Sequence, residues 1–137
     1  MRKRRNSQIY LKESEYNLLL KLLDRVEYTD NIAALEDELS RAKVVPSRKL
    51  GKDIVCLNAR VTYVDEESGQ QTSVQLVLPA DASVQDGRIS VLSPVGSALL
   101  GLKANGYIEW PLPSGKLKKL SIVEVIPPEP ETDHNLA

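Results

Sequence analysis

Residues 89–101 have the sequence Ile-Ser-Val-Leu-Ser-Pro-Val-Gly-Ser-Ala-Leu-Leu-Gly, and they organise the rest of the chain. The first half alternates apolar and small polar residues, which is the pattern of a half-buried strand. Pro94 ends that strand, because proline has no amide to donate and restricts the residue before it. The apolar run from Val95 to Leu100 is long enough for one or two helical turns, and Gly101 follows at the expected C-cap. We therefore predict a strand, a sharp corner and a short buried helix.

The residues before this segment predict two helices joined by a polar turn of about five residues. The first helix is predicted from Ser14 to Val26, with Ser14 as its N-cap. The second is predicted from Asn31 to Lys43, with Asp30 as its cap, and Pro46 ends the pair. Apolar residues recur at helical spacing in both: Leu18, Leu19, Leu22 and Val26, widened by Leu20 and Leu23, then Ile32, Leu35, Leu39 and Ala42. Such a pair forms an antiparallel hairpin with arms of about 20 Å.

After residue 53 the apolar period changes from helical to two, which indicates strands. Strands are predicted at 54–57, 60–65, 71–78, 88–92, 107–110 and 117–126. The predicted fold class is α+β: a short N-terminal antiparallel helical hairpin followed by a curved antiparallel sheet domain with one short helix. The predicted division is residues 1–49 for the arm and hairpin, 50–127 for the sheet domain and 128–137 for a disordered tail.

Composition excludes several classes of function. A net charge of -1 is unsuited to gripping nucleic acid through phosphate contacts alone. The single cysteine, Cys56, allows no internal disulfide and fits a reducing cytoplasm, and no apolar run approaches the length of a membrane span. There is no His/Cys cluster, no phosphate-binding glycine loop and no paired nucleophile and base, so we predict neither catalysis nor a cofactor or metal site.

The basic start of the chain contains Arg2, Lys3, Arg4 and Arg5. One interpretation is a solvated, frayed terminus. The other is an electrostatic anchor for nucleic acid or for an acidic protein face. Ile9 to Leu11 would follow as a short extended arm.

The central motif, Gly-x-Ile-Ser-x-x-Ser-Pro-x-x-x-Ala-Leu-Leu-Gly, resembles the C-terminal domain of the bacterial Gre transcript-cleavage factors. It is carried by Gly87, Ile89, Ser90, Ser93, Pro94, Ala98, Leu99, Leu100 and Gly101, with Gly106 in the following turn. With its shorter helical part, the layout is closer to the regulator of nucleoside diphosphate kinase family, a small relative of the GreA and GreB factors. The resemblance covers about residues 53–126 and implies a fold like that of the FK506-binding proteins from about residue 50.

The resemblance also implies a partner, bacterial RNA polymerase. In Gre factors the turn before Ser-Pro touches the coiled coil at the rim of the polymerase secondary channel, which here is Leu92, Ser93 and Pro94. Leu92 stands where the cleavage factors often carry Asp or Asn, so an apolar contact would replace a hydrogen bond. The alternative is that Ser93 and Pro94 only turn the chain into its helix.

In the Gre factors, carboxylates at the tip of a long hairpin help to hold a catalytic Mg²⁺ in the polymerase. This chain has Glu27 and Asp30 at its predicted tip, but its arms are far shorter. A tip that stops short of the active centre cannot supply ligands, since the ion–oxygen distance must be about 2.1 Å. The resemblance therefore implies a factor that competes with Gre proteins at the channel without stimulating cleavage. The two acids are alternatively a helix cap and part of a solvated helix face.

Three other functions remain as alternatives. The family name suggests regulation of nucleoside diphosphate kinase, directly or through expression. Weak nucleic-acid binding through the basic start is a lesser alternative. Prolyl isomerase activity, suggested by the implied fold, is disfavoured because the sheet domain offers only Tyr63, Tyr107 and Trp110 to line an aromatic pocket.

Overall fold

The computed structural model describes residues 4–5, 8–46, 49–111 and 114–128. Its strands are β1 (Arg4–Arg5), β2 (Tyr10–Lys12), β3 (Lys43–Val45), β4 (Arg60–Asp65), β5 (Gln71–Val77), β6 (Arg88–Ser90), β7 (Tyr107–Pro111) and β8 (Leu117–Ile126). Its α-helices are α1 (Glu13–Leu23), α2 (Asp30–Arg41) and α3 (Pro94–Leu99), and 3-10 turns lie at Pro79–Asp81 and Val84–Asp86. The predicted α+β class is confirmed. Of the predicted disordered tail, residues 128–137, all but the first residue lie outside the described residues.

The main sheet has six strands in the order β1-β7-β8-β4-β5-β6. Neighbouring strands are antiparallel except β5 and β6, which run parallel, so the prediction of a wholly antiparallel sheet is wrong at this edge. The cause is the long connection from residue 78 to 87, whose two 3-10 turns carry the chain back before β6 begins. A parallel neighbour requires such a crossover, whereas a tight turn produces an antiparallel one.

A second, two-stranded sheet lies at the base of the helices and was not predicted. Strand β2 pairs in parallel with β3, with Tyr10 opposite Lys43, and α1 and α2 together form the crossover between them. The predicted extended arm at Ile9 to Leu11 thus becomes part of a sheet. Helix α2 ends at Arg41, and the backbone is extended from Ala42 onward. The helix thus ends before Pro46, so the prediction that Pro46 ends the hairpin is wrong.

Both predicted N-caps are wrong, Ser14 by two residues and Asp30 by one. Helix α1 begins at Glu13 after Lys12, and Ser14 lies inside the first turn. Helix α2 is capped by Thr29, whose hydroxyl accepts a hydrogen bond from the Ile32 amide at 3.2 Å. Asp30 is the first helical residue, where its charge still interacts favourably with the helix dipole.

The predicted strand from Ile54 to Leu57 is also wrong. Ile54 makes only an isolated bridge to Lys103, and the Val55 amide donates to the Leu102 carbonyl at 2.8 Å. This apolar run is buried because it passes beneath the end of α3. Periodicity alone does not separate such a segment from a short core strand.

One hydrophobic core joins the helices to the sheet. It contains Leu19, Leu23, Ile32, Leu35 and Leu39 from the hairpin together with Val55, Leu57, Val61, Val74, Leu76, Val91, Leu99, Ile108 and Ile122 from the rest of the chain. The hairpin therefore packs against the sheet domain. Within the described residues, no helix combines the length and the apolar character needed to cross a bilayer.

Candidate functional site

The chain turns from the end of β6 into the first turn of α3 at residues 90–96, which we call the corner. Hydrogen bonds made by two serines hold this corner in shape. Ser93 caps α3: its hydroxyl accepts from the Gly96 amide at 3.0 Å and donates to the Ser90 carbonyl at 2.7 Å. The Ser90 hydroxyl in turn accepts from the Leu92 amide at 3.0 Å. The predicted order of strand, corner and helix is confirmed, with β6 ending at Ser90 rather than at Leu92.

Gly96 allows the first turn of α3 to lie directly against β6. A Cβ atom at this position would lie 2.0 Å from the Ser90 carbonyl oxygen, far inside van der Waals contact. Only glycine fits, so the shape of the corner depends on this residue as much as on the two serines.

The three residues predicted to contact polymerase lie together at the corner but differ in how far their side chains are exposed to solvent. Pro94 is exposed, whereas Leu92 and Ser93 are half-buried. Part of the Leu92 side chain packs against the core. Because the Ser93 hydroxyl already donates and accepts within the corner, Pro94 and the outer part of Leu92 form most of the surface that a partner can touch.

Gly101 forms the joint between the sheet domain and the hairpin. Its φ of 81° is in the left-handed region, as predicted for a glycine after a helix. Its carbonyl accepts from the Tyr10 amide at 3.1 Å, and a Cβ would lie 2.8 Å from the Ile9 Cβ. The start of the hairpin is therefore fixed a few residues from the corner.

Glu15 belongs to the same joint and was missed by the sequence analysis. Both carboxylate oxygens accept from the Leu57 amide at 3.2 Å, and the Lys12 ammonium lies 3.7 Å away. Burial raises the pKa of Glu15, while the Leu57 hydrogen bond and Lys12 oppose the shift. Its burial could have been predicted from its position on α1. Glu15 lies one turn before Leu19 and two turns before Leu23, which are both buried, so all three residues share one face of the helix.

Cys56 directly precedes Leu57 in the buried segment that Glu15 contacts. Desolvation, reinforced by the Glu15 charge, raises the pKa of this thiol to about 11. The interpretation of Cys56 as a buried small apolar residue is confirmed. A thiol with so high a pKa is a poor nucleophile at neutral pH.

The hairpin tip, residues 24–30, is open to solvent except at Val26. Glu27 and Asp30 are exposed and make no ion pair within the part of the chain that the structure describes. Tyr28, which sequence patterns did not single out, lies between them with 70% of its surface exposed. Helices of 11 and 12 residues give arms of about 16 to 18 Å. Across the described ranges, no three His, Cys, Asp or Glu side chains cluster closely enough to hold a metal ion.

The basic start is only partly described. Arg4 and Arg5 form β1, which pairs with β7 so that Arg4 lies opposite Glu109 and Arg5 opposite Ile108. The interpretation of a frayed terminus is therefore wrong for these two residues. Arg2 and Lys3 lie outside the described residues.

Tyr63 and Tyr107, two of the three aromatic residues of the sheet domain, do not lie on a common face. Tyr63 pairs with Ile122 and Tyr107 pairs with Ser121, and successive residues of β8 point to opposite faces of the sheet. Lys119 lies over the Tyr107 ring at 4.2 Å. The two tyrosines thus occupy opposite faces.

A protein-family model described as "Transcription elongation factor, GreA/GreB, C-term" matches residues 50–127, more than half of the chain. The chain belongs to the GreA/GreB family. The matched region includes strands β4 to β8 of the main sheet, the corner and the joint glycine, and leaves the helical hairpin outside.

Individual relatives carry two different names. The chain is 44% identical over 94 residues to a transcription elongation factor GreA from Azorhizobium caulinodans, covering 69% of this chain and 59% of that protein. It is 36% identical over 92 residues to the regulator of nucleoside diphosphate kinase from Escherichia coli K12, covering 67% of this chain and 68% of that protein. The chain thus spans less than two thirds of the length of the GreA relative.

The fold is similar to a solved structure, a prokaryotic transcription elongation factor GreA/GreB from Nitrosomonas europaea. The TM-score is 0.73 at 36% sequence identity, with 88% of this chain and 99% of that chain covered. Because the coverage exceeds the family-model match, the similarity extends beyond the sheet domain.

Proposed function

We propose that this GreA/GreB-family protein is a bacterial transcription regulator of the regulator of nucleoside diphosphate kinase type. It binds RNA polymerase near the secondary channel and competes with Gre-type factors without stimulating transcript cleavage. The observation that carries the proposal is the combination of a fully formed Gre-like corner with helices of only 11 and 12 residues. In this proposal the protein acts by binding and not by catalysis.

Docking is assigned to the corner. Pro94 presents an exposed ring, and Leu92 offers the part of its side chain that the core leaves uncovered. Ser93 contributes chiefly by holding the corner in shape. A corner already fixed before binding loses little conformational entropy when it docks, which favours affinity.

The hairpin is assigned to the channel entrance. Its tip ends about 18 Å or less from its base, so it blocks entry without delivering Glu27 and Asp30 to a metal deep in the enzyme. These two carboxylates and Tyr28 instead face the channel mouth, where exposed acids favour a basic wall. Residues 1–49 would then block the entrance, residues 50–127 would dock, and the tail from 128 would not be required. A polymerase partner places the protein in the bacterial cytoplasm, with no membrane contact.

Competition binding to core polymerase tests the proposal. The full chain should displace a labelled Gre factor, and transcript cleavage in stalled complexes should fall rather than rise. Changing Leu92→Asp together with Pro94→Ala should weaken displacement about tenfold or more, as expected for loss of a central apolar contact. Val123→Asp, at an exposed position of β8 three strands away from β6 and the corner, is the matched control and should leave displacement unchanged. Failure to displace the Gre factor, or stimulated cleavage, would contradict the proposal.

The Escherichia coli relative supports a second candidate, regulation of nucleoside diphosphate kinase. A direct effect predicts a changed rate of phosphate transfer when the two purified proteins are mixed. An unchanged rate in the purified system would remove the direct version and leave an effect through transcription.

Weak nucleic-acid binding through Arg2, Lys3, Arg4 and Arg5 is the least supported candidate. Four cations give a contact that falls steeply with salt. The backbone of Arg4 and Arg5 is already paired with β7. A gel shift at low salt that disappears when residues 1–5 are deleted would support it.

A further inference from the structure

Four residues form a straight row on the outer face of the main sheet, which we call the outer row: Ile126, Arg60, Gln75 and Arg88. They lie on the adjacent strands β8, β4, β5 and β6, with Arg60 opposite both Ile126 and Gln75, and Gln75 opposite Arg88. Their neighbours Val61 and Leu76 are fully buried. Because successive strand residues alternate between faces, the outer row points away from the core.

The outer row offers two guanidinium groups with different surroundings. Arg60 is exposed and makes no ion pair with any described residue. Arg88 is held 3.3 Å from the Asp86 carboxylate, which also accepts from the Ser83 hydroxyl at 2.9 Å, so its side chain is oriented in advance. Between them, the Gln75 amide donates to the Asn58 carbonyl at 3.2 Å, and its own oxygen remains available as an acceptor.

Strand spacing sets the separation of the two arginines. Their Cα atoms lie two strands apart, which is about 10 Å at about 4.8 Å per strand. Two carboxylates seven residues apart on one face of an α-helix are separated by about 10.5 Å. A helix lying along the outer row would therefore place one acidic residue over Arg60 and a second over Arg88, with a polar residue of the intervening turn over Gln75. One turn further, an apolar residue would meet Ile126, which is 47% exposed.

We propose that the outer row docks an acidic helix of a partner protein, with acids at positions i and i+7 and an apolar residue at i−4. This surface is separate from the corner and from the hairpin tip, so the inference goes beyond the proposed function. Arginine suits the task because its planar fork binds carboxylates in a bidentate manner.

Two other occupants fit less well. An added β-strand would need the free backbone groups of a sheet edge, whereas the outer row crosses the middle of the sheet face. A nucleic acid would meet only two cations in the outer row, which give too few phosphate contacts for useful affinity at physiological salt. Because Asp86 already shares the charge of Arg88, Arg60 should contribute more than Arg88 to the binding of an acidic helix.

The test is a titration of the full chain, followed by NMR, with a synthetic capped helical peptide carrying Leu at i−4 and Glu at i and i+7. The control peptide carries its second Glu at i+5, on another face of the helix. Arg60→Gln should weaken binding of the first peptide about fivefold, the upper range for an exposed ion pair. Arg88→Gln should act in the same direction, and Lys116→Gln in the β7–β8 turn is the matched control that should change nothing.

The shifted signals should map to β4, β5, β6 and the end of β8. Equal binding of the two peptides, equal loss with Lys116→Gln, or no binding of either peptide would overturn the proposal. Tighter binding of a single-stranded oligonucleotide than of the Leu/Glu peptide would also overturn it, in favour of a nucleic-acid surface. Arg60→Gln removes no ion pair among the described residues, so the variant should fold normally. An unchanged circular dichroism spectrum checks this.

Discussion

The corner at residues 90–96 and the tip of the hairpin are both turns that lead into a helix, but they differ in how firmly they are held. At the corner, the Ser93 cap, the Ser90 hydroxyl and the close approach of Gly96 act on one turn. At the tip, the only described cap is the Thr29 hydroxyl on Ile32, and the surrounding side chains are exposed. The corner lies within the region matched by the family model, and the tip lies outside it. In the proposed function, the fixed corner sets where the protein docks, and the length and charge of the tip set what the docked protein does.

The largest expected effect comes from crowding the corner. Gly96→Ala places a Cβ 2.0 Å from the Ser90 carbonyl oxygen, so β6 and α3 must move apart. We expect a loss of about 3 kcal/mol in the free energy of unfolding, measured by urea denaturation. Gly69→Ala is the control, since that glycine has a φ of 74° but open space around it. It should cost only about 1 kcal/mol for the left-handed backbone. Equal losses would show that the corner adapts and is not rigid.

A second test asks whether the hairpin is as firmly attached as the shared core implies. Leu19 is completely buried, whereas its neighbour Leu18 is 41% exposed. Leu19→Ala should cost about 3 kcal/mol through a cavity in the core, and Leu18→Ala about 0.5 kcal/mol or less. Both variants should unfold in one transition when helix and sheet signals are followed together. Two separate transitions would show that the hairpin unfolds on its own.

The corner was predictable from sequence because its determinants are local. Pro94, the Ser93 cap and Gly101 act within a few residues of their own positions, so their effect is visible in the sequence. The resemblance to the Gre factors rests on the same short segment and is supported by the family match at 50–127.

Features that depend on distant parts of the chain were not predictable. The parallel direction of β6 follows from the path of residues 78–87, and the pairing of β2 with β3 follows from the helices between them. Glu15 was missed because its partner, the Leu57 amide, is 42 residues away in sequence. A carboxylate in the first turn of a helix ordinarily indicates a solvated position, and only the tertiary fold buries this one.

A smaller effect is expected at the tip. Because Thr29 and not Asp30 caps α2, Thr29→Ala should cost about 1 kcal/mol. Asp30→Ala removes only a favourable interaction with the helix dipole and should cost about 0.5 kcal/mol. Thermal unfolding of the two variants under identical conditions gives the comparison. A larger loss for Asp30→Ala would restore the cap assigned from sequence. Neither change should affect Gre displacement as strongly as the corner variant, if docking depends on the corner.

The smallest expected effect concerns the joint and depends on pH. Burial raises the pKa of the Glu15 carboxyl above its ordinary value of 4.5, although the hydrogen bond from the Leu57 amide and the charge of Lys12 act to lower it. The unfolded chain therefore releases this proton at lower pH than the folded chain does. As pH rises from 4.5 through the folded-state pKa, Glu15 should lower the free energy of unfolding, and the effect should then level off. Glu15→Gln does not titrate, so the wild type should lose stability relative to this variant over that interval in urea titrations. Glu13→Gln, at an exposed position in the same helical turn, is the control for the substitution itself. A constant difference between wild type and Glu15→Gln would show that the Leu57 amide and Lys12 fully offset the desolvation of the buried carboxylate. The joint would then hold the hairpin equally well with Glu15 charged or neutral.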